Sequence, residues 1–434
     1  MALQRKQHDK ANRIGEESNV KRTIAMVFCL ALILLFSGCK VSGEKTSGDY
    51  RYYLYDNGQA ELRGYSGSET ELTLPAELDG HVLTGIDIDY RSEGCFDKLV
   101  SVVIPDGYTE VGDSDFEGCK QLATVKLPST LNRIGYRAFA DCISLREIEL
   151  PQGLASLGRF AFSGSSLETV NLPNSFEWKE SGIFDGNPFA DCKQLRNMIV
   201  ADDHPSLRWE DGILTNLDKT RLLLYPASRT DAAYTIPENI KDISAYAFAG
   251  ASLHTVTLPH DLYELPGAVF QGCVELERIT LPSGIVSIGS SAFSCCTSLM
   301  AVEIPEGVRT IGSYAFSDCT SLETLELPQS VTEIGTEAFN NCEKLKTLTL
   351  PAGLEDFGER CFINSNVVLS VYPGSLGEKY AEEYDVRYRV LAADTAEPTN
   401  APAATPAAKP EKPTAMDLPK ASPSTLNTAA AAPS

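Results

Sequence analysis

Cysteine is the residue with the greatest potential for chemistry in this 434-residue chain, which contains twelve of them. Seven recur three residues after a phenylalanine or its equivalent: Cys119, Cys142, Cys192, Cys273, Cys296, Cys319 and Cys342. The same position elsewhere holds Ser165, Ala251 or Ser365, so it selects for small size and not for sulfur alone. A buried thiol behaves as a small apolar group, and we expect packed free thiols here, although neighbours about 5 Å apart are within disulfide range. Cys295 and Cys361 lie outside this position and are the candidates for reactive thiols.

Patterns typical of catalysis or metal binding are missing from the sequence. The histidines after residue 38 are His81, His204, His254 and His260, and none forms an H-E-x-x-H pair or a zinc spacing with cysteine. The run that starts at Gly64 lacks the last glycine of a G-x-S-x-G nucleophile elbow. Asp202, Asp203 and His204 could hold calcium, but a polar loop in water is the simpler interpretation. The sequence therefore predicts no enzyme, no cofactor, no metal and no small-molecule substrate.

A repeat of 23 residues must position all of these side chains. Between Leu258 and Pro351 the pattern L-P-x-x-[IV]-x-x-I-G-x-x-A-F-x-x-C-x-x-L recurs at that spacing. A coil this short cannot bury its apolar face alone, so consecutive coils must stack into a solenoid. Within one copy, Leu325 and Leu327 alternate with Glu326, which predicts a strand with both leucines inward. The residues around Phe339 then predict a short helical turn, so the fold class is mostly β, or an α+β repeat, with short parallel strands.

The repeat pattern extends over residues 50–391, where it predicts one solenoid of about a dozen coils. Residues 50–71 read as a β-hairpin that forms the N-terminal cap, and residues 366–391 read as a C-terminal cap. Residues 174–234 break the period and hold both tryptophans, and we interpret them as one coil elaborated by hairpins. Beyond the solenoid, residues 392–434 are rich in Ala, Pro and Thr and predict a disordered tail.

The N-terminal residues 1–38 have the features of an export signal. Basic residues precede an apolar run from Ile24 to Phe36, which is too short for a spanning helix of about 20 residues. The run ends Phe36-Ser37-Gly38-Cys39, which resembles the lipobox of bacterial lipoproteins and makes Cys39 the predicted lipidation site. Residues 39–49 would then be a tether that leads to the solenoid. An ordinary cleaved signal or an uncleaved anchor is the alternative.

The charge of the chain limits its partners. Its formal net charge is -22, with 59 acidic and 37 basic residues. Nucleic acids and anionic lipid head groups attract basic surfaces, so neither is an expected partner. Proteins remain the expected ligands.

The repeat closely resembles the BspA-like, Treponema-type class of bacterial leucine-rich repeats, over almost all of residues 50–391. The segment from Asn187 to Cys192, followed by the residues up to Ala227, is also similar to a recurrent feature of that class. The resemblance implies a leucine-rich repeat solenoid displayed on the bacterial surface, and the lipobox-like residues at Cys39 predict a lipid anchor at the outer face of the membrane. It further implies protein binding in adhesion to host matrix proteins, host cells or other microbes, and it brings no catalytic residues.

Two surfaces are candidates for the ligand. Outward strand positions form a stripe that runs along the sheet: Val103, Lys126, Glu149, Asn171, Ile199, Thr257, Thr280, Glu303, Glu326 and Thr349. Aromatic anchors usually dominate protein contacts, which singles out Trp178, Trp209, Phe176 and Phe184 in the elaborated coil. These rings could equally pack the inserted hairpins. A glycan-binding or cell-wall-binding module, and a structural spacer without a ligand, are the alternative functions.

Overall fold

Short strands make up most of the structure, a computed structural model that describes residues 41–88, 96–180 and 186–392. The strands before residue 174 are β1 (Val41–Ser47), β2 (Tyr50–Tyr55), β3 (Ala60–Tyr65), β4 (Glu71–Thr73), β5 (Glu77–Leu78), β6 (His81–Ile86), β7 (Ser101–Val103), β8 (Glu110–Val111), β9 (Thr124–Lys126), β10 (Arg133–Ile134), β11 (Glu147–Ile148), β12 (Ser156–Leu157) and β13 (Thr169–Leu172). The next strands are β14 (Asn197–Val200), β15 (Leu207–Glu210), β16 (Ile213–Asn216), β17 (Arg221–Leu224), β18 (Ala233–Thr235), β19 (Asp242–Ile243), β20 (Thr255–Thr257), β21 (Glu264–Leu265), β22 (Arg278–Thr280) and β23 (Ser287–Ile288). The last are β24 (Ala301–Glu303), β25 (Thr310–Ile311), β26 (Thr324–Glu326), β27 (Glu333–Ile334), β28 (Thr347–Thr349), β29 (Asp356–Phe357), β30 (Val368–Val371) and β31 (Tyr388–Val390), and one helix, α1 (Leu376–Glu383), lies between β30 and β31.

Each coil contributes one strand to each of two parallel sheets, and the coils stack into a β-solenoid of about 14 turns. The side that we call the long-strand sheet is made of consecutive parallel groups: β4, β7 and β9; β11, β13 and β14; β18, β20, β22, β24 and β26; and β28, β30 and β31. The side that we call the short-strand sheet is made of β6, β8, β10 and β12, then β17 and β19, then β21, β23, β25, β27 and β29. From β20 to β26, register partners differ by 23 residues, as Thr255 and Arg278 do. The predicted repeat fold is therefore confirmed.

A ladder of aromatic rings forms the centre of the core. Neighbouring rings lie 5.0 to 5.7 Å apart in two series: Phe96, Phe116, Phe139, Phe162 and Phe189, then Tyr225, Phe248, Phe270, Phe293, Phe316, Phe339 and Phe362. Tyr225 takes the phenylalanine position of its coil, since its backbone N–H donates to Ala247 as the phenylalanines donate to later coils. The buried apolar residues form two clusters that meet at the elaborated coil. Burial of these rings supplies the main driving force for stacking.

The third side of each coil, the turn side, joins neighbouring coils through the backbone. The N–H groups of Glu337, Phe339 and Asn341 donate to the carbonyls of Glu359, Cys361 and Ile363 at 2.9, 3.2 and 2.9 Å. Glu337 and Asn341 have φ values of 55° and 57°, in the left-handed region, so the segment cannot continue as an α-helix. The predicted helical turn is therefore a succession of turns, such as the one in which Cys342 N–H bonds to Phe339 at 3.4 Å.

The repeated cysteine position holds a hydrogen-bond donor. Six thiols donate to the carbonyl of the phenylalanine in the preceding coil at 3.0 to 3.2 Å: Cys142, Cys192, Cys273, Cys296, Cys319 and Cys342. Ser365 makes the same bond to Phe339 at 3.0 Å. All cysteines in the described ranges are free thiols. Small size was predicted for this position, but the donor was not.

The two cysteines outside this position differ from one another. Cys361 is fully buried, and burial raises the pKa of its thiol to about 11, so both access and the thiolate form are disfavoured, against the predicted reactivity. Cys295 is half-buried at a φ of 61°, where other coils place Gly, Asp or Asn. Those residue types enter the left-handed region more easily than cysteine does.

The N-terminal end differs from the predicted tether. Strand β1 pairs antiparallel with β2 from Val41 to Ser47, and β2 pairs with β3. An unpaired β2 would leave its edge N–H and C=O groups in solvent, and β1 satisfies them. Tyr65 of β3 stacks on Phe96 at 6.2 Å and so covers the first ring of the ladder. The predicted signal of residues 1–38, with Cys39, and the predicted tail from residue 393 onwards lie outside the described residues.

The C-terminal end is closed by helix α1 and strand β31. Ser375 caps the helix by accepting the N–H of Glu378. Tyr380 stacks on Phe357 at 4.1 Å, and its hydroxyl accepts the N–H of Cys361 at 2.8 Å. No helix within the described ranges is long and apolar enough to span a bilayer.

The elaborated coil contains a three-stranded antiparallel meander. Strands β15, β16 and β17 pair in sequence, and β17 then pairs parallel with β19 and rejoins the repeat. His204 anchors the start of the meander. Its ring is buried, Nδ1 accepts the N–H groups of Ser206 and Leu207 at 3.2 and 3.1 Å, and Nε2 lies 3.2 Å from the carbonyl of Pro173. The expected position of His204 in a solvated loop is therefore wrong, whereas Asp202 and Asp203 are exposed.

The glycine after the short strand lies close against the backbone of the preceding coil. A Cβ on Gly312 would lie 2.4 Å from the backbone N of Ser290 and 2.7 Å from the carbonyl C of Gly289. We expect Gly312→Ala to destabilise the fold by about 1–3 kcal/mol, because neither backbone can retreat without disturbing the coil stack. Gly353 has open space around its Cβ position, so Gly353→Ala is the matched control and should change stability by less than about 1 kcal/mol. Urea unfolding of both variants checks this, and equal losses would contradict it.

Burial of His204 makes stability depend on pH. Burial lowers the pKa of His204 below its ordinary value, so as the pH falls the unfolded chain binds a proton first. The stabilisation is complete above about pH 6.5 and is lost as the pH falls from there towards the lowered pKa of the folded protein. In urea unfolding between pH 7.5 and 5.5, the His204→Gln variant should lose less unfolding free energy than the unmodified chain as the pH falls. The His254→Gln variant, which changes an exposed histidine, should lose as much as the unmodified chain. Identical pH profiles for the two variants would argue against this role.

Candidate functional site

The two tryptophans are half-buried at the surface of the elaborated coil. Trp178 packs edge-on against Phe176 at 6.4 Å, and its Nε1 donates to Glu180 at 3.1 Å. Trp209 lies on β15 opposite Leu214. Both indoles pack against the N-terminal core cluster, so each combines a structural contact with a partly exposed ring.

The two phenylalanines predicted with them do not extend this surface. Phe176 is only 2% exposed and belongs to the core, so it offers no ring to a ligand, and its predicted binding role is corrected. The 23-residue period predicts which leucines and isoleucines are buried. Phe176 does not occupy one of those positions, so the period could not predict its burial. Phe184 lies outside the described residues.

A chain of polar contacts extends from Trp178 across the short-strand sheet. Glu180 pairs with Arg221 at 3.2 Å, and Arg221 pairs with Asp242 at 2.7 Å. Arg221 and Asp242 are also register partners on β17 and β19. The charges at this surface are thus already paired within the chain, and the contacts fix the elaborated coil to the next regular coil.

The outer face of the long-strand sheet is the larger candidate surface. Every three-residue strand from β20 to β28 buries its middle residue and exposes the residues on both sides. The predicted outward stripe is exposed from Lys126 to Thr349, and Val103 at its start is half-buried. Because neighbouring strands lie about 4.8 Å apart, the stripe displays side chains at regular intervals along the molecule.

Ile199 is the large apolar residue on this stripe, with 51% of its surface exposed. It follows Met198 on β14, whose side chain is buried, so strand alternation places Ile199 outward. Strand β14 opens the elaborated coil. The stripe and the tryptophan-bearing segment therefore start from the same coil.

The arrangement suits contact with an extended partner. Within the described residues, no group of three or more His, Cys, Asp or Glu side chains lies together as metal ligands would. The outer faces of the two sheets carry regular rows of exposed side chains. Solenoids of this construction bind other macromolecules along their sheet faces.

Comparison with known proteins agrees with this geometry. The family described as BspA type leucine rich repeat region matches in six copies over residues 90–208 and 232–345, which together make up more than half of the chain. No curated protein matches the sequence.

Solved structures share the fold. A leucine rich cell surface protein from Faecalibacterium prausnitzii is 26% identical with a TM-score of 0.50, and the match covers 74% of this chain and 96% of that one. The pneumococcal vaccine antigen PcpA is 18% identical with a TM-score of 0.55 over 81% of this chain and 100% of that one, which shows the fold alone. The repeat, the stacked coils and the matched residues together show that this chain belongs to the BspA-type leucine-rich repeat family.

Proposed function

We propose that this chain is a non-enzymatic surface protein that binds a protein ligand through the outer face of its long-strand sheet, in adhesion to a host or to neighbouring cells. The observation that carries the proposal is the exposed stripe, whose side chains vary from coil to coil while the inward positions stay apolar. The side chains of Ile199, Thr280 and Glu326 are exposed, so core packing does not select their residue types. Their freedom to vary is what a recognition surface needs.

The size and chemistry of the stripe favour a protein ligand. It extends along the solenoid, and it combines an exposed isoleucine with threonines and glutamates. An interface of this kind gains most of its energy from a few apolar or aromatic anchors within a polar rim. Ile199 is the exposed apolar anchor on this face. The half-exposed rings of Trp178 and Trp209 lie in the same elaborated coil, next to the sheet that contains β15, β17 and β19.

Display at the cell surface follows from the N-terminal segment. The apolar run and the sequence Phe36-Ser37-Gly38-Cys39 support export with a diacylglycerol on Cys39. A lipid of this type holds a protein on a membrane without a spanning helix. The similar structure from Faecalibacterium prausnitzii is described as a cell surface protein, which agrees with this location.

The binding proposal is tested with the full chain on immobilised collagen, fibronectin and laminin, with a panel of cell-wall glycans beside them. Ile199→Asp should weaken saturable protein binding at least about tenfold, because it places a charge at the centre of the contact. Val274→Asp is the matched control: Val274 is 50% exposed but lies on the turn side, and binding should stay within about twofold. The double variant Trp178→Ala/Trp209→Ala reports whether the elaborated coil contributes.

Several outcomes would overturn the binding proposal. Equal losses for Ile199→Asp and Val274→Asp would remove the stripe from the interface. Binding to glycans and not to proteins would favour a cell-wall module. A folded sample that binds neither panel would favour a spacer.

Lipidation is tested by expressing the full chain in a bacterium that processes lipoproteins. Mass spectrometry should find a chain that begins at Cys39 and carries a diacylglycerol. The Cys39→Ser variant should lack the lipid and leave the membrane fraction, whereas Cys29→Ser, inside the signal, should be lipidated normally. A mature chain cut elsewhere, or one without lipid on Cys39, would refute the anchor.

A further inference from the structure

The C-terminal cap covers two of the three sides of the last coil. Strand β31 extends the long-strand sheet, with Leu369 in register with Tyr388. Helix α1 closes the short-strand side, where Tyr380 stacks on Phe357. The turn side of the last coil, residues 360–365, has no further coil above it, and Tyr380 of α1 contacts it at the Cys361 N–H and the Phe362 ring.

Three backbone donors are consequently left open there. In the preceding coil the N–H groups of Glu337, Phe339 and Asn341 donate to the last coil. The equivalent donors of the last coil are the N–H groups of Arg360, Phe362 and Asn364. Within the described part of the chain, the structure shows no acceptor for any of these three groups. An unpaired edge of this kind is a template for another chain.

These donors are already held in the binding geometry. Arg360 and Asn364 have φ values of 60° and 55°, as their equivalents one coil earlier have. The Asn364 amide donates to Asn341 Oδ1 at 2.8 Å, and Asn341 in turn donates to Asp318 at 2.6 Å. The side-chain ladder therefore ends in the Oδ1 of Asn364, which has no donor among the described residues. Little conformational entropy remains to be lost when a ligand adds to such an edge.

A cavity of about 240 Å³ lies beside these donors. Its walls include Arg360, Phe362, Val367, Tyr384, Val386 and Arg387. The cavity thus combines an apolar floor with a polar rim. It is large enough for one apolar side chain of a bound peptide.

We propose that this open end binds a peptide segment of a protein partner. Carbonyl oxygens of alternate residues of the segment accept the N–H groups of Arg360, Phe362 and Asn364, and its apolar side chain enters the cavity. The preceding coils indicate what kind of ligand fits. On the turn side of the regular coils, the donors are paired with the carbonyl groups of alternate residues in the next coil. This site is separate from the outer sheet face and does not depend on binding there.

A second copy of the chain is the less suitable occupant. It would have to offer carbonyls from the N-terminal end of its own turn side. At that end strands β1, β2 and β3 continue the short-strand sheet beyond β6, and Tyr65 stacks on Phe96, so a second copy could not stack as a further coil without displacing this cap. A partner with a free extended segment meets no such obstacle.

The probe for this site is a synthetic peptide with the sequence of residues 334–345, IGTEAFNNCEKL, which covers the turn side in the intact chain. Residue-resolved hydrogen exchange on the full chain is the measurement. Without peptide, the amides of Arg360, Phe362 and Asn364 should exchange at least a hundredfold faster than those of Glu337, Phe339 and Asn341. Saturating peptide should slow the first three at least tenfold and leave strand β1 unchanged.

Matched variants test the cavity. A peptide with serine in place of its phenylalanine should bind at least tenfold more weakly, and this result does not depend on the folding of the protein. Val386→Trp should fill the cavity and block the peptide, whereas Val390→Trp, on the 48% exposed residue of β31, should not. Thermal unfolding by circular dichroism shows that both variants are folded.

Three results would overturn the proposal. The first is slow exchange of all three amides in the free chain at every concentration. The second is unchanged exchange in saturating peptide. The third is protection that rises with the concentration of the chain itself, which would identify a second copy as the occupant.

Discussion

Backbone contact between successive coils on the turn side is the constraint on which the rest of this structure depends. At Gly312 the preceding coil comes so near that even a methyl group would meet main-chain atoms. That distance sets the spacing of the phenylalanine rings at 5.0 to 5.7 Å and brings each cysteine thiol to the carbonyl of the preceding phenylalanine. Glycine, phenylalanine and cysteine recur together because they satisfy one geometric condition.

The sequence predicted those features that repeat, and it missed those that depend on a single contact. The 23-residue period was sufficient to predict the strands, the stacked ring at Phe339 and the burial of Cys342. The role of His204 depends on backbone groups of Pro173 and Leu207, whose positions no period reveals. Strand β1 looked like a polar tether because most of its side chains are exposed, and only its pairing with β2 makes it a strand. Similarly, Trp178 was visible as an aromatic in an irregular coil, but the burial of its neighbour Phe176 was not.

The same constraint separates structural positions from positions free for recognition. Inward side chains of each coil must fit the ring ladder and the donor ladder, whereas outward residues such as Thr280 and Glu326 contact solvent and face no such requirement. The elaborated coil interrupts the ring series between Phe189 and Tyr225 and divides the core into two clusters. Recognition elements can therefore be added at that coil without disturbing the regular stack on either side. At the C-terminal end, the stack stops with its turn-side donors still in place, and an end of this kind can receive a segment from outside the chain.

The measurement that tests the coil contact most directly is the redox state of the repeated cysteines. The full chain is alkylated before and after unfolding, without reductant, and the modified residues are identified by mass spectrometry. Buried thiols that donate to carbonyls should escape alkylation in the folded protein. After unfolding, the same thiols should all be alkylated, namely those of Cys142, Cys273, Cys296, Cys319 and Cys342. Disulfide-linked peptides between neighbouring coils, or ladder thiols that react in the folded chain, would contradict the packing described for this solenoid.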